Sequence, residues 1–569
     1  MLPVHPILRF GRFVLFTSIA TLPVVSFLTS TALWGAPAAK EEASITFSMS
    51  TSGELIAQYV VPARCGEIRF LDNRPLVEDK FRSQWSLAEP GRQEQRPRRS
   101  LVRKYIIKPQ VVNMDRIYPP VLPVAPGSVL IYPRYFALAG KCGGGMARFS
   151  PPKGGIAVHG RAGSRPRVLQ FSLSDEDNRS SFVYFGSQRP SRIAGANVVE
   201  GADFPPAASA FIREVVGSIA QSPIARSPRD PMRPPLIVAT WAHGEGPIGM
   251  HGDVAGGIMR LTFTGDASKN LSESERRLIS GSIAHEFAHL AQPPMLAKLP
   301  HFEVLAEGEA EVIRWLTLLR LGSASETDFW GWAETVVNQC NVLIDGGGWY
   351  DIRAKNYGKF PYVCGAAAIV LSALDQRLGD SLEDGLRLRR ERLGKIGNSC
   401  VERYFDPANQ RACAAPASGS FLAGDMPYQD WVAHVLGSPG TPLTDASDIP
   451  QDMKSAYTET VFTRILEIDC GTRSGYSHYP DRFVLDAGLK CKSMPDSFAL
   501  STVDGINLLE KPWLAAQAAS RSCASEGSIR LGGPRGESTA VSCTSFSARQ
   551  ISLYRLASKT LPLGVTAER

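Results

Sequence analysis

Two histidines stand four residues apart, His285 and His289, with Glu286 beside the first, in the run SIAHEFAHLAQPP that stops at a double proline. On a helix such a pair projects from one face, one turn apart, so both imidazoles can reach one cation. Glu286 falls about 100° round the axis, where its carboxylate can hold a water at that cation without ligating it. The H-E-x-x-H spacing is that of a hydrolytic metal site; the plain alternative is a core helix with two hydrogen-bonded histidines. A catalytic zinc takes three protein ligands and leaves a fourth position open. The pattern in which a glycine and a third histidine follow on the same segment is excluded, because positions 292 and 295 hold Gln292 and Met295. Carboxylates are available instead in FEVLAEGEAEVIRW, where Glu307 and Glu311 lie one turn apart and Glu309 points away from both.

The elements that must carry these residues are legible around them. Ser272 with Glu275 three residues on marks a helix start, and Pro293 and Pro294 close that helix. Helical patterns follow at about 302–321, 326–343 and 362–378. Upstream, LIVATWA and GGIMRLTF read as two strands bridged by a glycine-rich loop carrying His243 and His251. Before them PPAASAFIREVVGSIAQS has helical spacing and a proline-rich connector follows it. From about 40 to 200 short alternating runs between glycine and proline clusters predict a β-rich region. The stretch 396–455 reads as loop with one short helix at YQDWVAHVLG, and alternation returns from about 456.

A chain of 569 residues exceeds one hydrophobic core, so a multidomain α+β architecture is expected. The first forty residues order two arginines, a long apolar segment and then Ala36 and Ala38, which predicts an export signal over 1–38. If that segment stays uncleaved it is a membrane anchor, and a membrane is a partner only in that case. Removing Arg9 and Arg12 lowers the net charge from +7 to +5. That gives no argument for nucleic acid, and the basic run RQEQRPRRSLVRK has no interleaved aromatic residue, as suits a solvated loop. Ten cysteines with no C-x-x-C pair predict disulfides in a secreted or periplasmic protein. Joining sequence neighbours gives Cys65–Cys142, Cys340–Cys364, Cys400–Cys413, Cys470–Cys491 and Cys523–Cys543.

HEFAH followed by LAEGEAE resembles the gluzincin zinc metallopeptidases, in particular the aminopeptidase N group and related bacterial peptidases, whose second motif reads roughly L-x-E-G-x-A-E. The resemblance implies Zn²⁺ held by His285, His289 and Glu307, Glu286 as general base, and Glu311 fixing a ligand histidine. Thermolysin-like relatives place the third ligand two residues later, at Glu309, while the surrounding E-G-x-A-E favours Glu307. KFPYVCGAAAIVLSALDQRLGD is similar to the family segment in which P-Y-x-x-G precedes an apolar helix, and this implies Tyr362 as stabiliser of the oxyanion. The family's G-x-M-E-N, whose glutamate binds a substrate amine, is replaced by GGIMRL with Arg260 at the corresponding place. Such a strand can still pair with an extended peptide through backbone groups.

The resemblance covers roughly residues 230–380 and implies a thermolysin-like catalytic domain over 201–395. Around it are expected a β-rich N-terminal domain at 39–200, a loop-rich helical extension at 396–455 and a small disulfide-bonded β domain at 456–569. The expected function is a peptidase acting on a peptide or protein substrate. The alternatives are a non-peptidase zinc hydrolase, or a binding or adhesion protein with a vestigial zinc peptidase fold.

Overall fold

The computed structural model describes residues 42–88, 100–110, 118–160, 164–165, 168–221, 234–245, 248–266, 270–292, 302–344, 347, 360–376, 380–388, 426–443, 446–471, 476–479, 482–485, 491–495, 498–543, 546, 550–556 and 562–564. The export signal expected at 1–38, most of the basic run and the double proline lie outside the described residues. Ala43–Arg569 forms one compact unit, apart from Met1–Glu42, of which only Glu42 is described.

Short apolar runs between turns build two sheets in the first part of this unit, alternating in burial in the first and buried throughout on the central strands of the second. One takes the order β10-β7-β1-β2-β4-β3, from β1 (Ser44–Met49), β2 (Leu55–Pro62), β3 (Ser86–Leu87), β4 (Ser100–Ile107), β7 (Met146–Phe149) and β10 (Leu169–Ser172). The other takes the order β5-β6-β11-β8-β9, from β5 (Val121–Ala125), β6 (Ser128–Ile131), β8 (Ile156–His159), β9 (Ser164–Arg165) and β11 (Val183–Gly186). Short helices α1 (Pro75–Lys80) and α2 (Glu176–Arg179) interrupt them. Along β2 the alternate residues Leu55, Ala57, Tyr59 and Val61 are buried, and they share an aromatic core with Phe47, Phe136 and Phe149.

A third sheet carries the residues of interest. Its strands are β12 (Ser191–Ile193), β13 (Ala196–Glu200), β14 (Leu236–His243), β15 (Gly249–Ala255) and β16 (Ile258–Gly265), in the order β12-β13-β14-β16-β15. β13, β14 and β16 run parallel, which demands crossovers, and α3 (Pro206–Gln221) lies in the one between β13 and β14. β15 is antiparallel to β16 at the sheet's edge. The glycine-rich loop expected between the two apolar strands is therefore a strand for much of its length. Gly249 and Gly252 break the alternation that marks a strand, and pairing with β16 supplies the order that local propensity lacks. The hairpin turns at Gly256 and Gly257, with φ of +64° and +94°.

That turn is nested in the second sheet's region. A Cβ on Gly256 would fall on the Ser181 side chain, and a Cβ on Gly160 would fall on the Gly256 carbonyl. Phe182 N–H donates to Ala255 O at 3.3 Å, and Tyr118 Oη reaches Val254 O at 3.5 Å.

The rest is helical at its centre: α4 (Glu273–Ala291), α5 (Phe302–Arg320), α6 (Glu326–Ile344), α7 (Phe360–Gln376), α8 (Tyr428–Leu436), α9 (Gln451–Cys470) and α10 (Pro512–Glu526). One hydrophobic core joins them from Ala288 to Leu563. The region from 456, expected as a small β domain, opens inside α9 and contains α10; short strands fill the remainder. α9 escapes a sequence reading because Thr458, Thr460, Val461, Thr463 and Ile465 are β-branched and read as strand. All five are buried, so packing overrides their propensity.

α5 and α7 cross with their backbones in contact. A Cβ on Gly308 would fall on the backbone of Gly365 and Ala366, and one on Gly365 would fall on Val304 O, with Gly308 Cα at 2.9 Å. The Cys340–Cys364 pair ties α7 to α6 beside this crossing, and Cys470–Cys491 and Cys523–Cys543 also pair as expected. The Cys142 side chain, Cys400 and Cys413 lie outside the described residues.

Candidate metal centre

α4 starts at a full capping box. Glu275 N–H donates to Ser272 Oγ, and Ser272 N–H donates to Glu275 Oε2 at 2.8 Å. His285 and His289 then emerge on one side of its last two turns, ring centroids 4.9 Å apart. α5 packs along α4 and brings a carboxylate to the same point. His285 Nε2 lies 3.1 Å from Glu307 Oε2, His289 Nε2 lies 3.4 Å from it, and the two Nε2 atoms are 3.2 Å apart. A tetrahedral metal about 2.0–2.1 Å from each donor sets donors about 3.3 Å apart, so this triangle has the right edges.

Proton positions decide whether these atoms are ligands. Gln292 Nε2 donates to Ala306 O at 2.8 Å, which turns Gln292 Oε1 toward His289 Nδ1 at 3.0 Å. An amide whose NH₂ is committed presents only an acceptor, so Nδ1 bears the proton and Nε2 a lone pair. His285 Nδ1 faces Glu311 Oε1 at 3.0 Å, off the straight line of an ideal hydrogen bond. With the His285 proton on the Nδ1 that faces Glu311, two imidazole lone pairs and a carboxylate oxygen converge, an arrangement that a cation satisfies. The donor set of two nitrogens and one oxygen, at these separations, fits zinc.

Of the two acids left open by the sequence, Glu307 is the one at ligand spacing. Glu309 is 2 % exposed and stands outside the group. Glu286 is buried against β15, where a Cβ on Gly252 would stand 2.6 Å from Glu286 Cγ and 2.8 Å from its Oε1. Burial raises Glu286 above the usual carboxylate range against the pull of His289 and His285, which moves it toward the neutral range useful to a proton acceptor. Tyr362, in the first turn of α7, lays its ring 5.7 Å from that of His285 at 28° and remains 41 % exposed.

Arg260 does not occupy the place that the sequence pattern assigns to it. β16 lies inside the sheet, and Arg260 is buried with its guanidinium on Asp253, directly opposite on β15, Nε to Oδ1 3.1 Å. The strand beside Glu286 is β15. His243 is exposed at the end of β14, and His251 is exposed on β15, 3.6 Å from Asp253. Gln292 and Gly252 are not singled out for the site by the sequence. The i, i+3 spacing of His289 and Gln292 is a usable signal, whereas the approach of Gly252 depends on a strand that reads as loop.

Without a cation, protons take its place. Burial opposes a charge on His285, but Glu307 and Glu311 outweigh it and push the imidazole up to about 10. Burial likewise opposes a charge on Glu307, and His285 and His289 outweigh it and hold the carboxyl down to about 2. The raised imidazole stabilises the fold below its ordinary 6.5 and ceases to as pH climbs through about 10. The lowered carboxyl stabilises above its ordinary 4.5 and ceases to as pH falls through about 2. Chelated protein should therefore melt highest between pH 4.5 and 6.5, which a pH series of thermal melts will check. Glu311→Ala should weaken zinc binding about ten- to a hundredfold in competition with a chromophoric chelator. Unchanged affinity would show that Glu311 does not support His285.

No family model matches the chain, and no curated protein matches it. Among solved structures it is similar to an aminopeptidase N family protein from Idiomarina loihiensis, with 11% identity, a TM-score of 0.46, and coverage of 89% of this chain and 96% of that one. It is also similar to an M1 zinc metallopeptidase from Deinococcus radiodurans, with 12% identity, a TM-score of 0.30, and coverage of 72% and 95%. A two-domain M1 zinc metallopeptidase variant bound to L-arginine gives 12% identity, a TM-score of 0.30, and coverage of 67% and 94%. At these values no residue role is transferred from them.

Proposed function

We propose that this chain is an exported zinc-dependent peptidase of the gluzincin kind. The observation that carries the reading is the triangle of His285 Nε2, His289 Nε2 and Glu307 Oε2, with His285 Nδ1 facing Glu311 and His289 Nδ1 facing Gln292. His285, His289 and Glu307 would hold zinc there, and the metal would supply an activated water and polarisation of the substrate carbonyl. Glu286 takes the proton of the attacking water and passes it to the leaving amine. Tyr362, at the mouth beside His285, donates its hydroxyl to the oxygen that gains charge.

Support for a peptide rather than another acyl substrate comes from β15. It ends its sheet, with no further partner strand among the described residues, and lies against Glu286. An extended peptide pairs with such an edge through backbone groups alone. Export is supported by the three cysteine pairs. No described helix is long and apolar enough to cross a membrane.

The test is a peptide-library digest by the purified full chain, with metal analysis, before and after chelation. One zinc per chain and cleavage that chelation abolishes are expected. Zinc without peptide cleavage moves the reading to a different acyl substrate, and absence of zinc ends it.

A further inference from the structure

Away from the three ligand atoms, α4, α5 and α6 leave an open groove of about 690 Å³. Its apolar lining includes Leu278, 38 % exposed, and the indoles of Trp315 and Trp332, whose centroids are 6.1 Å apart at 44°. Its cations are Arg277 and Arg314. Arg277 has Glu273 at 3.7 Å, and that side chain is 90% exposed, a separation at which the pair holds Arg277 only loosely.

Arg314 is placed more tightly. It lies over Gly281, where a Cβ would stand 2.7 Å from its Nε. Its Nη1 reaches Glu311 only at 3.4 Å, and its Nε is buried against Gly281, so a ligand in the groove meets the terminal nitrogens of a side chain that is 34 % exposed.

We propose that this groove binds a small monocarboxylate with an aromatic body, its carboxylate between Arg277 and Arg314 and its ring on Leu278 and Trp332, beside the buried Trp315. Guanidinium forks match a planar carboxylate, and indole faces accept a flat apolar body. The volume falls in the range of small-molecule sites. Glu273 at the rim repels a second negative charge, which favours an acid of single charge over a phosphate. The inference does not rest on the zinc reading.

The test titrates the zinc-loaded full chain with 3-phenylpropionate, and with its amide as the neutral control, by calorimetry and tryptophan fluorescence. Both titrations are repeated after chelation and with Arg277→Gln, which touches none of the residues at the metal centre. The acid is expected to bind about tenfold more tightly than the amide, to keep binding after chelation, and to lose about fivefold or more in Arg277→Gln. A loss of zinc reading with this binding intact leaves the groove standing. Equal affinity for acid and amide overturns it, as does binding indifferent to Arg277→Gln, binding that disappears with the zinc, or no signal up to roughly 10 mM.

Discussion

Glu286→Gln is expected to keep one zinc per chain and to lose about 10²–10⁴ in kcat on any peptide the native protein cleaves. Glutamine preserves the shape of the side chain and removes its capacity to take a proton. The proposed ligand triangle is His285, His289 and Glu307, so metal analysis of the variant should match the native protein. Gly252→Ala is the companion experiment. A methyl there intrudes on Glu286 from the strand side, at 2.6 Å from its Cγ, and pushes the carboxylate from its place without touching a ligand. Misplacement by about an ångström costs up to about 100-fold, so this variant should also retain zinc and lose turnover, by less than Glu286→Gln. Full turnover in Glu286→Gln removes Glu286 as the base.

The part of this site carried by one helix is legible in the sequence alone, because helical periodicity converts the spacing of His285 and His289 directly into a shared face. The acid on α5 is half legible. Periodicity groups Glu307 with Glu311, and only the packing of α5 on α4 decides which carboxylate reaches the imidazoles. β15 is invisible because its residues carry little strand propensity and its order comes from pairing with β16, as β-structure commonly depends on neighbours. The error about Arg260 follows from that. With the edge strand read as loop, the next apolar run reads as the strand facing the site. α9 fails for the complementary reason, since β-branched residues buried nearly all round a helix imitate a strand.

Gly365→Val is expected to destabilise the protein by about 4 kcal/mol or more and to abolish soluble expression or activity together. Any side chain at Gly365 strikes Val304 O and the Gly308 backbone, atoms that move only if α5 and α7 separate. Glu307 adjoins Gly308 and Tyr362 lies one turn before Gly365, so separation moves the proposed ligand and the proposed hydroxyl donor apart. Gly365→Ala gives a graded version, expected to melt several degrees lower. Melting curves and zinc content measured on both variants check this. A Gly365→Ala protein with native melting and native zinc content would show that the crossing has slack. Gly331, where a Cβ would meet no atom within 4 Å, is the control glycine at which alanine should be tolerated.

The seating of the hairpin turn on Gly160 and Ser181, with Ala255 bonded to Phe182, gives the amino-terminal sheets a share in the proposed catalysis that no chemistry of their own would suggest. They grip one end of the strand whose middle abuts Glu286. Excising them as a dispensable appendage is therefore expected to yield a fragment that still chelates zinc but aligns its scissile bond poorly.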